Sequence, residues 1–197
     1  MTAMPDTLDD VLAHAWARLR AGVSGRHDPF HQGVLANATD EGPQARYVVL
    51  RAADAASGTL AFHTDVRSPK CAALAADPRL AWVFFGHGEQ LRIEGRVRLH
   101  HDDDVARATW AAMRPLARRT YAVPLSPGTA VDAPEDAGLP GLGTPADPAA
   151  LEAARACFVL ARVEATRLDW LSLAASGHRR ARFERGPDGW QGRWLAP

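Results

Sequence analysis

The chain has 197 residues, 47% of them hydrophobic, enough to bury a core as one domain. Its 23 basic residues balance 23 acidic ones, so no overall field draws it to nucleic acid or to an anionic membrane. No apolar run approaches the roughly 18 residues that span a bilayer, and the first ten residues carry no basic patch before an apolar stretch, so the expected location is the cytoplasm.

Leu8, Val11, Leu12, Ala15, Trp16 and Leu19 recur at helical spacing behind a Thr7 cap with Asp10 three residues on, which predicts a helix over 7–22. Strand-like runs follow at 33–38, 45–52, 59–64, 79–86 and 90–100, separated by turn formers such as Ser57-Gly58 and Gly86-His87-Gly88. In the last run Leu91, Ile93, Val97 and Leu99 alternate with Arg92, Glu94, Arg96 and Arg98, and Gly95 allows a bulge or a close approach. Aspartates 102 to 104 predict a helix reaching about Arg119; the stretch His100-His101-Asp102-Asp103-Asp104 reads as strand end and cap rather than as a metal site. Residues 123–148 form a Pro/Gly-rich insert, and Asp147-Pro148 opens a short helix. Strands return at 157–168, 178–185 and 190–196, the second read as a solvated edge strand. Cys71 and Cys157 form no C-x-x-C pair, so neither a disulfide framework nor a zinc site is expected. About eight antiparallel strands with few helices predict a mainly β fold, a barrel with flanking helices, over a single domain 1–197.

Lys70 is the only lysine among 23 basic residues. It follows Ser68, a helix cap, and Pro69, a first helical residue, where backbone donors point outward at the positive end of the helix dipole. That is the outline of a phosphate site.

The stretches 46–51 (RYVVLR), 62–65 (FHTD), 67–70 (RSPK), 77–85, 89–97 (EQLRIEGRV) and the terminal RWLAP resemble, in order and spacing, the pyridoxamine 5'-phosphate oxidase-like family of FMN-binding split barrels. The resemblance implies an antiparallel Greek-key split barrel that binds FMN at the interface of a homodimer, with neither nucleic acid nor membrane as partner and no metal. It implies that Arg46 meets the FMN phosphate, that Val48 and Leu50 line the isoalloxazine, and that His63 and Thr64 hold the cofactor by backbone and hydroxyl. Ser68 and Lys70 would take the phosphate, with Arg67 supplying the charge that Pro69 removes from the family's Ser-Arg-Lys. Gln90 would bond the flavin ring, and Trp170 and Arg180 would reach it from the second subunit. His178 is the expected proton-handling residue and Arg51 the expected contact to an anionic substrate. Ser176 stands where the family's oxidase has an arginine, so oxidation of vitamin B6 phosphates is expected to be poor. The expected function is an FMN-dependent oxidoreductase on a small molecule. A flavin-binding or redox-sensing module without turnover, or a split barrel using deazaflavin or haem, remains the alternative.

Overall fold

This computed structural model describes residues 5–138, 147–175 and 177–197. Thr7 caps the first helix, α1 (Leu8–Ser24), its hydroxyl accepting from the Asp10 N–H at 3.2 Å. The stripe Val11, Ala15, Trp16 and Leu19 is buried, as the helical period requires. Gly22 lets the helix pass close to the backbone of Phe30, whose carbonyl a Cβ would strike.

Among the described residues nine strands follow: β1 (Gln32–Thr39), β2 (Gly42–Val49), β3 (Ala52–Asp54), β4 (Thr59–Asp65), β5 (Arg79–Gly86), β6 (Glu89–His100), β7 (Phe158–Ser172), β8 (Arg179–Gly186) and β9 (Gly189–Leu195). The run expected over 45–52 is two strands because its ladder changes partner: the Leu50 N–H donates to the His31 carbonyl at 2.9 Å and the Arg51 N–H to Ala61 at 2.8 Å. The sheet is mainly antiparallel, in the order β2-β1-β5-β6-β7-β4-β3, with β8 paired to β7 and β9. It is not closed into a barrel. The stretch 178–185 is therefore no edge strand; β8 is bonded on both sides.

Register sorts the side chains. Leu35 stands opposite Trp82, Trp82 opposite Ile93 and Phe84 opposite Leu91, and these are all buried on one face. The alternate residues Val34, Tyr47, Val83, Phe85, Gln90 and Arg92 lie on the other face, where Tyr47 is 73% and Phe85 62% exposed. At Gly95 the β6 backbone passes so near the Glu164 carbonyl of β7 that a Cβ would collide with it.

The helix expected over 102–119 is broken. Asp103 caps α3 (Asp104–Ala112) by accepting from the Ala106 N–H at 2.8 Å. Arg114 is extended (ψ 141°) because Pro115 follows it, and α4 (Pro115–Arg118) starts afresh. The helix opened by Asp147 is α5 (Pro148–Ala153). Residues 139–146 of the Pro/Gly-rich insert lie outside the described residues. Asp102 pairs with Arg107 and Arg155, and His100 bonds Asp103 through Nδ1 at 2.7 Å. Among the described residues no group of three His, Cys, Asp or Glu side chains is placed to hold a metal.

The chain divides into two compact units. The first comprises the residues up to Phe62, Asp77–Arg98 and Arg162–Pro197; its core includes Trp16, Phe30, Trp82, Phe84 and Trp170. The second comprises His63–Ala76 and Leu99–Ala161, and its centre is the aromatic group Trp110, Tyr121 and Phe158, with ring centroids 5.3–5.8 Å apart. No described helix is long and apolar enough to cross a membrane.

Candidate functional site

In the second unit, the end of β4 and the start of α2 (Pro69–Ala76) gather donors around one lysine. Lys70 Nζ donates to Ser68 Oγ at 2.7 Å and to Thr64 Oγ1 at 3.2 Å. Ser68 and Thr64 are 5% and 6% exposed, so these hydroxyls are fixed rather than solvated. An ammonium and two hydroxyls at the first turn of an eight-residue helix suit a phosphate monoester. His63, half-buried, sets its ring edge-on against Phe158, centroids 5.0 Å apart.

Arg67 goes elsewhere. Its Nε and Nη2 grip Asp65 at 3.0 and 2.7 Å, and Nη1 donates to the carbonyls of Val123 and Pro124 at 3.0 and 3.2 Å. The Asp65 hydrogen bond is the main reason its pKa is raised. Arg67 thus clamps the start of the insert, where Asp65, Arg67, Val123, Leu125 and Val131 line a cavity of about 290 Å³.

In the first unit Arg46, on β2, is half-buried; Nη1 donates to Asn37 Oδ1 and Nη2 to Gln44 Oε1 at 3.3 Å. Burial lowers its pKa. Val48 is half-buried, Leu50 is fully buried and Arg51 is exposed. Gln90, opposite Phe85, is half-buried on the face that carries Tyr47 and Arg92.

Trp170 and Arg180 take opposite faces. Trp170, opposite Ala181, is 1% exposed and donates its indole N–H to Glu89 at 2.8 Å. His14 of α1 bonds the same carboxylate at 2.8 Å. Burial alone would raise the Glu89 pKa, but the hydrogen bonds from His14 and Trp170 outweigh it and hold the carboxyl below its ordinary value. Arg180 instead reaches Asp169, with Nε on Oδ1 at 2.9 Å and Nη2 on Oδ2 at 3.1 Å. Exposed His178 shares with Asp6, Arg179, Arg180, Trp194 and Leu195 an open cavity of about 350 Å³. Ser176 lies outside the described residues.

Residues singled out by sequence are thus grouped within each unit: Thr64, Ser68 and Lys70 in one, His178 and Arg180 in the other. Asp169 and Glu89, which hold Arg180 and Trp170, were not foreseen. Their only signal was charge on alternating strand positions, which gains meaning once register is known.

An open, mainly antiparallel sheet with a phosphate-suited lysine cluster defines the class. Residues 13–101 match the family model described as pyridoxamine 5'-phosphate oxidase, FMN-binding domain, so that segment is similar to the pyridoxamine 5'-phosphate oxidase-like proteins. Among solved structures, a pyridoxamine 5'-phosphate oxidase-related, FMN-binding protein from Nostoc punctiforme is 24% identical, covers 100% of both chains and superposes with a TM-score of 0.72. PhzG from Burkholderia lata, solved with tetrahydrophenazine-1-carboxylic acid, is 20% identical over 98% of this chain and 94% of its own, with a TM-score of 0.69. At these identities the likeness is one of fold. None of the curated proteins matches.

Proposed function

We propose that this protein is an FMN-dependent oxidoreductase acting on a small molecule in the cytoplasm. The observation that carries the reading is the Lys70, Ser68 and Thr64 cluster at the head of α2, within a segment that matches an FMN-binding family. Lys70 and the two hydroxyls hold the terminal phosphate. His63 and Thr64 contribute backbone contacts beside it, while Arg67 keeps the start of the insert in place rather than binding phosphate.

By the family resemblance Arg46 is a further phosphate donor, Val48 an apolar contact and Gln90 a hydrogen-bonding partner of the ring, whereas Leu50, fully buried, has no surface to offer it. Bound FMN supplies electron transfer between a donor and an acceptor. His178 holds or releases a proton at its exposed imidazole, and Arg51, also exposed, orients an anionic substrate.

The protein acts as a homodimer in this reading, with Arg180 and Trp170 serving the flavin of the second copy. The exposed Tyr47 and Phe85, with Val34 and Val83 between them by register, support such an association. Trp170 contributes through Glu89, since its own ring is buried.

The test is absorbance and mass analysis of the ligand released from purified protein, followed by anaerobic bleaching with a panel of reductants. FMN that bleaches is expected. A different chromophore, or a protein that stays colourless with added FMN, overturns the cofactor assignment, and FMN that no donor reduces overturns the enzymatic one.

A further inference from the structure

Three arginines converge on one buried acid in the first unit. Asp169 is 1% exposed. Its Oδ2 accepts from Arg92 Nη2 at 3.2 Å, Arg180 Nη2 at 3.1 Å and Arg182 Nη2 at 2.9 Å. The three Nη2 atoms share one acceptor, so no two of them lie more than about 6 Å apart. One carboxylate cannot balance three guanidiniums. Glu94, the next acid, stands 3.9 Å from Arg92 Nε and is engaged at 2.7 Å by Arg167, while Glu184 is taken by Arg167 and Arg193. Arg92 Nε is itself buried without a hydrogen-bond partner. The three arginine side chains keep about a third of their surface or less, with exposures of 35%, 27% and 28%.

We propose that Arg92 and Arg182, braced from beneath by Asp169 beside the flavin-serving Arg180, form a receptor for a phosphate or carboxylate group carried by the substrate. Asp169 fixes the planar forks of Arg180 and Arg182 by their Nε and Nη2 edges, which leaves Nη1 of each without a partner among the described residues. Planar forks held in advance are what bidentate oxyanion recognition needs. The position assigns the anion to substrate rather than cofactor: Arg92 lies two residues, about 7 Å, along β6 from Gln90 and on the same face. This step rests on the flavin reading; the receptor itself rests on the arginine geometry alone.

The experiment titrates inorganic phosphate into the purified protein by calorimetry, with and without saturating FMN, for wild type, Arg92→Gln and Arg182→Gln. One saturable phosphate site is expected to persist in the FMN-loaded protein and to weaken about tenfold or more in each variant, with FMN affinity unchanged. Arg182→Lys, which keeps the charge but not the fork, is expected to lose less and guards against a variant that simply fails to fold. Four results overturn the proposal: no saturable phosphate binding below about 10 mM, indifference to both glutamines, displacement of the arginine-dependent phosphate by FMN, or dissociation of a dimer by Arg92→Gln, which would assign the cluster to an acidic side chain of a second copy. If FMN does not bind at all, the flavin reading falls, and the titration without FMN still decides the receptor.

Discussion

Asp169 shows how a single side chain is set by opposing effects. Burial works against its charged form, yet hydrogen bonds from Arg180 and Arg182 and the charge of Arg92 outweigh burial and lower its pKa. Glu89 behaves alike, and in both the folded pKa lies below the unfolded one, near 4. Their stabilisation is therefore complete above about pH 4 and is lost as pH falls through the folded values. Urea melts are expected to give a flat midpoint from pH 7 to about 5 and a falling one below about 4, with Asp169→Asn flattening that acid limb. At neutral pH this variant is expected to lose about 2–3 kcal/mol, the low side for a buried partner, because the three guanidiniums retain some solvent. A loss within about 0.5 kcal/mol would mean the arginines do not depend on this acid. Ser176 sets a second expectation. Without an arginine two residues before His178, pyridoxine 5'-phosphate is expected to turn over well below about 1 per second, and a steady-state assay at or above that rate would contradict the reading.

Elements were legible in the sequence where period and caps agreed. The α1 stripe, the Thr7 cap, the alternation in β6 and the closing turn between Gly186 and Gly189 are all local signals, and each element forms where its signal lies. What stayed hidden depends on neighbours. The break at Leu50-Arg51 arises because adjacent N–H groups serve different partners, and the interior place of β8 follows from its bonds to β7 and β9. Pro115 was a readable signal for ending α3, outweighed in the sequence reading by the charges at either end. The candidate site divides the same way. The Ser68-Pro69-Lys70 turn was legible because helix starts are local, whereas Asp65 on Arg67, Asp169 on Arg180 and Glu89 on Trp170 required tertiary placement. Gly95 offers the test at this scale. Its missing Cβ lets β6 pass the Glu164 carbonyl, so Gly95→Ala is expected to cost about 1–3 kcal/mol in a chemical melt, and an unaltered midpoint would contradict that close approach.

For the whole molecule, the open sheet leaves Tyr47 and Phe85 exposed on the face that also carries Gln90 and the arginine cluster. Light scattering is expected to show a dimer, and Tyr47→Glu with Phe85→Glu is expected to yield monomers of unchanged far-ultraviolet circular dichroism. A wild-type monomer that holds FMN tightly would mean Arg180 acts within its own chain. The central claim is that a terminal phosphate is held at Lys70, Ser68 and Thr64, and it is tested most directly by paired fluorescence titrations with FMN and riboflavin. FMN is expected to bind roughly a hundredfold more tightly, a preference of about 2.7 kcal/mol, and Lys70→Ala to remove about 1.5–2.5 kcal/mol of it. Equal affinities for the two flavins, or a preference untouched by Lys70→Ala, would contradict the account.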